Sequence, residues 1–143
     1  MTQIPNHQNG KLRIVADENI PFVREFFQPL GVVETYPGRT LTTAQVASAD
    51  VLLVRSVTPV NESLLGGSSV KFVGTCTIGT DHLDIEYLDR RGIAYASAPG
   101  CNANSVVEYV FSVLSQLKPN WSSATFGVIG CGNVGGSLYH RLK

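Results

Sequence analysis

The sequence predicts an α/β fold, a parallel sheet with helices between its strands, followed by the start of a second α/β domain. Three observations carry this. Short apolar runs alternate with short helical segments punctuated by Gly and Pro. One run, Val51–Val54, is apolar without a break, as expected of a strand covered on both faces. A Gly-x-Gly-x-x-Gly pattern at 130–135 follows a further apolar run near the end of the chain, which marks a new strand-to-helix turn.

Residues 12–16 read as the first strand. Asp17, Glu18 and Asn19 then precede Pro21, which suits the first turn of a helix whose inward positions are Phe22, Phe26 and Leu30. Gly31 closes that helix, 32–35 is a second strand, and Pro37-Gly38 turns the chain. Thr42 or Thr43 caps a helix running to Ala49, and Val51–Val54 is the third strand. Residues 61–65 form a short helix, 70–74 a fourth strand, 84–91 a helix ending at Gly92, and 93–98 a fifth strand. Five strands alternating with helices indicate an open parallel sheet of flavodoxin-like type over 12–101.

After Pro99-Gly100 the rhythm changes. Val106, Val107, Val110, Phe111, Leu114 and Leu117 recur at helical spacing in Ala103–Leu117. Residues 102–123 are therefore an inter-domain helix and linker. Residues 126–129 read as a strand and 134–142 as a helix, so 124–143 is the start of a Rossmann domain. One strand and one helix cannot cover both faces of a parallel sheet, and a longer parent chain is expected.

The composition excludes several partners. The hydrophobic share is 43%, and 11 Lys plus Arg balance 11 Asp plus Glu. That is enough apolar material for a core and no basic excess for tracking a nucleic-acid backbone or an anionic membrane. No apolar run approaches the roughly 20 residues that span a bilayer. Residues 1–11 are polar and lack the features of a signal peptide, so they are expected to be a loose arm. Cys76, Cys101 and Cys131 are odd in number, with no C-x-x-C pair. A reducing, cytoplasmic setting fits them best, and no metal site is expected.

The glycine pattern carries the most specific chemistry. Gly130 allows the tight turn, Gly132 lets the backbone approach a pyrophosphate, and Gly135 lets helix and strand pack closely. The amides of Asn133 and Val134 face the anion at the positive end of the helix. A dinucleotide is the natural ligand. The acidic residue that reads the ribose is expected about 20 residues further on, so NAD and NADP are not separated by these residues.

A second constellation lies in the loops after the third and fourth strands, where open α/β sheets bind ligands. The first runs Val54-Arg55-Ser56-Val57-Thr58 and the second Gly74-Thr75-Cys76-Thr77-Ile78-Gly79-Thr80. Hydroxyls, amides and glycines suit a small anion, and Arg55 adds a bidentate fork. Taken singly, each loop also reads as an ordinary capped turn. Asp17 is expected to cap a helix or order its loop, and His82 to hold a hydrogen-bonded structural role.

These stretches resemble a known family. A small βα domain, then Asn-Ala-Asn-Ser-Val-Val-Glu at 102–108, then Gly-x-Gly-x-x-Gly is similar to the NAD-dependent D-isomer-specific 2-hydroxyacid dehydrogenases. The likeness covers residues 12–143. The Arg-Ser-Val-Thr stretch at 55–58 and Pro-Gly-Cys-Asn-Ala at 99–103 point to the branch acting on a small phosphorylated hydroxyacid. The resemblance implies oxidation of the 2-hydroxyl of 4-phospho-D-erythronate, with hydride passing to NAD, in pyridoxal 5'-phosphate biosynthesis. By motif, Ser56 and Thr77 match substrate-binding positions, and Asn133 and Val134 match pyrophosphate contacts. Arg55 or Arg39 is the expected partner of the substrate phosphate. The family's carboxylate-binding Arg and its Glu-His pair have no match in 1–143, so these residues alone are expected to be inactive. A homodimer is implied for the complete protein. Another D-2-hydroxyacid dehydrogenase, for example one acting on phosphoglycerate, a non-enzymatic NAD-sensing corepressor and a small-ligand-binding module remain open alternatives.

Overall fold

The computed structural model describes residues 11–118 and 120–143; residues 1–10 of the expected arm lie outside them. The chain divides into two compact units, one extending through Ala98 and the other running from Pro99 to Lys143.

The first unit runs β1 (Leu12–Asp17), α1 (Val23–Phe27), β2 (Gly31–Tyr36), a 3-10 turn (Gly38–Thr40), α2 (Thr43–Val46), β3 (Val51–Val54), α3 (Glu62–Leu65), β4 (Phe72–Thr75), α4 (Ile85–Arg91) and β5 (Ala94–Ala96). All pairings are parallel, in the order β2-β1-β3-β4-β5. This is the flavodoxin-like order. Val15 pairs with Leu52, Leu52 with Val73, and Val73 with Tyr95, placing those positions on one face. There Val15, Leu52, Val54 and Val73 pack with Val46, Leu65, Tyr87 and Leu88 from α2, α3 and α4. On the opposite face Ile14, Ala16, Val51 and Leu53 pack with Ile20, Val23 and Val33. Two covered faces explain why every residue of β3 is buried and why its sequence shows no alternation.

Side-chain caps set the short helices. Gln45 Oε1 accepts from the Thr42 amide at 2.8 Å, closing a capping box on α2. Asp84 Oδ1 accepts from the Tyr87 amide at 3.0 Å. Asn61 Oδ1 accepts from the Leu64 amide at 3.2 Å at the start of α3. Because α3 is only one turn long, Asn61→Ala is expected to cost about 1 kcal/mol, read as a lower urea midpoint at unchanged slope.

Two sequence expectations need correction. Phe22, Phe26 and Leu30 do not face inward: they are 67%, 71% and 54% exposed. The Ile20 amide donates to the Asp17 carbonyl at 3.1 Å, and Phe22 adopts a left-handed φ of 56°, so α1 opens at Val23 rather than at Pro21. That turn brings Ile20 and Val23 to the core, with Phe27 packed partly against it. Gly31, expected to stop the helix, opens β2 opposite Leu12.

In the second unit, α5 (Ala103–Leu117) is followed by a 3-10 turn (Trp121–Ser123) and α6 (Asn133–Leu142). Trp121 organises the turn: its ring centroid lies 5.3 Å from Phe111 and 6.5 Å from Phe126. Its Nε1 donates to Ser115 Oγ at 3.2 Å. Residues 126–129 do not form the expected strand. A strand exists through its ladder partner, and among the described residues none pairs with this segment, which leaves Ile129 fully exposed. Among the described residues, no helix is long and apolar enough to cross a membrane.

Candidate functional site

The loops after β3 and β4 meet at the C-terminal edge of the sheet. Val54 pairs with Thr75 at the ends of these strands, and the Cys76 amide donates to the Val54 carbonyl at 2.8 Å. Beyond this point Ser56, Thr77, Gly79, Asp81 and His82 line an open cleft of about 520 Å³. The cleft loop is tied down at its far end. Val60 bridges Leu83 in parallel, the Val60 amide donates to the His82 carbonyl, and the Asp84 amide donates to the Val60 carbonyl, both at 2.8 Å.

Under the cleft floor lies a chain of hydroxyls. Thr75 is 3% exposed, and its Oγ1 lies 2.8 Å from Thr77 Oγ1 and 2.9 Å from His82 Nε2. Burial pushes the His82 imidazole below its ordinary pKa, and the nearby Asp81 carboxylate only partly opposes this. The imidazole is therefore neutral at pH 7.

The strand order reverses between β1 and β3, and a second polar cluster occupies that crevice. Asp17, at the end of β1, is 2% exposed. Its Oδ2 accepts from Arg55 Nε at 3.0 Å. Its Oδ1 accepts from the Asn19 amide at 2.8 Å and from Asn19 Nδ2 at 3.3 Å. Burial acts to raise the Asp17 pKa, but the bonds from the Asn19 backbone, Arg55 and the Asn19 side chain outweigh it and hold the carboxyl below its ordinary value. Gly38 closes this cluster, since a Cβ there would lie 2.3 Å from Asp17 Oδ2 and 2.8 Å from Thr58 Oγ1. Thr58 Oγ1 in turn donates to the Gly38 carbonyl at 2.9 Å. Asp17 is thus a loop-ordering residue that also anchors Arg55.

The structure brings Ser56 and Thr77 together on one cleft. Arg55 is not among the residues lining it: its Nε is engaged by Asp17, while its terminal nitrogens have no hydrogen-bond partner among the described residues. Arg39 opens instead on another cleft of about 460 Å³, shared with Gly38, Thr42, Thr58, Asn61 and Ser63. The sequence places Thr75 in the ligand-binding loop and assigns His82 a hydrogen-bonded structural role, which its 2.9 Å contact with Thr75 bears out, but it does not join the two beneath the cleft. The signal was the Thr-x-Thr at 75 and 77, where an inward threonine ends a buried strand. Among the described residues, no group of three His, Cys, Asp or Glu is placed to hold a metal.

In the second unit the glycine loop joins residues 126–129 to α6. Gly130 has a φ of 87°, which favours glycine. A Cβ on Gly135 would lie 1.9 Å from the Gly130 carbonyl oxygen, so the first turn of α6 packs directly on the loop. Gly132 is the N-cap of α6 and accepts through its carbonyl from the Gly136 amide at 2.8 Å. Asn133 and Val134 begin the helix, and the Asn133 side chain lies beside Gly100. This turn fits the pyrophosphate of a dinucleotide: a close backbone path opens a ten-residue helix whose first amides face outward.

Known proteins are similar to this chain. The profile of the D-isomer specific 2-hydroxyacid dehydrogenase catalytic domain matches residues 13–129. Among curated relatives, the chain is 64% identical over 132 residues to erythronate-4-phosphate dehydrogenase of Cellvibrio japonicus, covering 92% of this chain and 35% of that protein. The enzyme of the same name from Saccharophagus degradans is 58% identical over 136 residues, covering 92% and 36%. The chain thus spans about a third of the length of these relatives. NAD+-bound 3-phosphoglycerate dehydrogenase of Entamoeba histolytica superposes with a TM-score of 0.65 at 22% identity, covering 92% of this chain and 50% of that one. D-lactate dehydrogenase of Aquifex aeolicus, complexed with NAD and lactic acid, superposes with a TM-score of 0.68 at 20% identity, covering 91% and 48%. The two structures support the fold, and the profile match supports the lineage. The chain belongs to the D-isomer specific 2-hydroxyacid dehydrogenase family.

Proposed function

We propose that the protein carrying this sequence oxidises the 2-hydroxyl of 4-phospho-D-erythronate to give 2-oxo-3-hydroxy-4-phosphobutanoate. The observation that carries this reading is the meeting of Ser56 and Thr77 on one cleft, in a chain 64% identical to erythronate-4-phosphate dehydrogenase of Cellvibrio japonicus. The hydroxyls of Ser56 and Thr77 supply donors to an anionic hydroxyacid, and cleft walls made from two strand ends hold it in one orientation. Gly130, Gly132, Asn133, Val134 and Gly135 would hold NAD by its pyrophosphate. When bound, NAD supplies the hydride acceptor. Removing the hydroxyl proton needs a positioned base, and His82 is not assigned that role, because its Nε2 is engaged by Thr75.

Arg55 is the candidate partner for the substrate phosphate, with Asp17 holding Nε so that the terminal nitrogens form a fork. Arg55→Ala should raise the substrate KM, and an unchanged KM would transfer the role to Arg39. The same reading places the reaction in pyridoxal 5'-phosphate biosynthesis, in the cytoplasm, in a homodimer.

The test is NADH formation by the purified complete protein that carries these residues, with 4-phospho-D-erythronate, 3-phospho-D-glycerate and D-lactate compared. The expected kcat/KM favours 4-phospho-D-erythronate by about 10⁴-fold, the scale at which a site built to hydrogen-bond a polar group rejects analogues lacking it. A preference for 3-phospho-D-glycerate would move the assignment to another branch of the family.

A further inference from the structure

The Thr75 hydroxyl has one proton and two neighbours, and this makes the hydrogen-bond chain directional. Thr77 Oγ1 and His82 Nε2 both lie within hydrogen-bond distance of Thr75 Oγ1. The residue is buried, and no third partner is present among the described residues, so its proton goes to one of the two. If Thr75 donates to His82, its remaining capacity is as an acceptor, Thr77 donates back to it, and Thr77 has no proton left for the cleft. If Thr75 accepts from His82, it donates to Thr77, and the Thr77 hydroxyl proton is then available to a ligand. The protonation of one imidazole nitrogen therefore decides whether Thr77 presents a donor or an acceptor to the cleft it shares with Ser56.

We propose that His82 is a positioning residue which, as an Nε2–H donor acting through Thr75, sets Thr77 as a hydrogen-bond donor toward an anionic hydroxyacid. The proposal rests on the cleft being the substrate site. An anion offers only acceptors, so a Thr77 locked as an acceptor would face it lone pair to lone pair, while a Thr77 donor adds a charge-assisted bond. The loop carrying His82 is fixed, since its backbone carbonyl is held by the Val60 amide at 2.8 Å, and burial lowers the imidazole pKa, so near pH 7 the ring carries one proton and its place on Nε2 or Nδ1 sets the sense of the chain.

The first readout needs no substrate. Nitrogen-15 shifts of the His82 ring in the protein carrying this sequence should show Nε2 protonated and Nδ1 bare near pH 7. A ring protonated at Nδ1 with a bare Nε2 overturns the proposal, whatever the fate of the substrate assignment. The second readout is a double-mutant cycle on 4-phospho-D-erythronate. Thr75→Val keeps the shape of the buried residue and cuts the chain. His82→Phe removes the donor, and His82→Gln restores an amide donor, guarding against a fold defect in the phenylalanine variant. Thr75→Val and His82→Phe are each expected to raise KM about tenfold with little change in kcat, the double variant no more than either single one, and His82→Gln to recover most of the loss. Additive effects, or a fall in kcat at constant KM, would overturn it. Loss of activity toward every hydroxyacid in the unmodified protein would count against the substrate reading alone.

Discussion

Alanine at Gly135 is expected to weaken NAD binding by about 100-fold, equivalent to about 3 kcal/mol. The reason is steric. The new Cβ would sit 1.9 Å from the carbonyl oxygen of Gly130 and 3.0 Å from its carbon, and both are backbone atoms with no rotamer to yield. Either the first turn of α6 lifts away or the Gly130 turn opens. Both displace the helix amides from the anion they are set to meet. Gly136→Ala is the matched control. Its Cβ would approach the Cys131 carbonyl oxygen to 3.3 Å, which a shift of a few tenths of an ångström relieves, so binding should stay close to normal. Titration calorimetry with NAD on the two variants separates them; equal affinities would remove the glycine loop from cofactor binding.

Arg55→Met is expected to destabilise the protein by about 3 kcal/mol near pH 7, because it leaves the Asp17 carboxylate buried without its cationic partner. Asp17 is 2% exposed, and the Asn19 donors remain, so the loss falls at the lower end of what breaking a buried pair costs. The pH dependence has a definite sign. The folded-state pKa of Asp17 lies below its ordinary 3.8, so its contribution to stability is present above that value and is lost as pH falls through the lower folded-state value. In Arg55→Met one of the bonds that lowers this pKa is gone, and burial, which raises it, is less opposed. The gap in urea midpoint between the two proteins should therefore be widest near neutrality and close as the pH falls below 3.8 and through the lowered folded-state value of Asp17. A gap independent of pH would mean that Arg55 stabilises the fold by packing its stem, with the charge playing no part.

Local chemistry was legible in the sequence where a single element decides it. Val51–Val54 announced a strand covered on both faces and is one. Thr42 or Thr43 reads as a capping residue because a hydroxyl oxygen needs only the next turn of helix, and Thr42 is the N-cap of α2; the segments 61–65 and 84–91 read as helices and are, opened by Asn61 and Asp84. Ala103–Leu117 carries its helix on repetition alone. Features set by neighbours were not legible. The pairing of Asp17 with Arg55 joins residues 38 apart in sequence and depends on β1 lying next to β3, a consequence of strand order. Phe22 and Phe26 have helical spacing but face solvent, because the turn at the end of β1 sets the phase of α1, and spacing carries no phase. Residues 126–129 are as apolar as a strand should be, yet a strand is defined by its partner. His82 looked like a turn residue, since the threonine it meets is seven positions back, a distance with no local periodicity to flag it.

The most direct measurement is amide shift mapping of 4-phospho-D-erythronate on the isotopically labelled protein carrying this sequence. The expected result is a cluster of perturbed amides at Ser56, Thr77, Gly79 and His82, the residues that share the cleft at the ends of β3 and β4. Perturbations confined to Arg39, Thr42, Asn61 and Ser63, which line the other cleft, or no perturbation in either group, would contradict the assignment of Ser56 and Thr77 to the substrate.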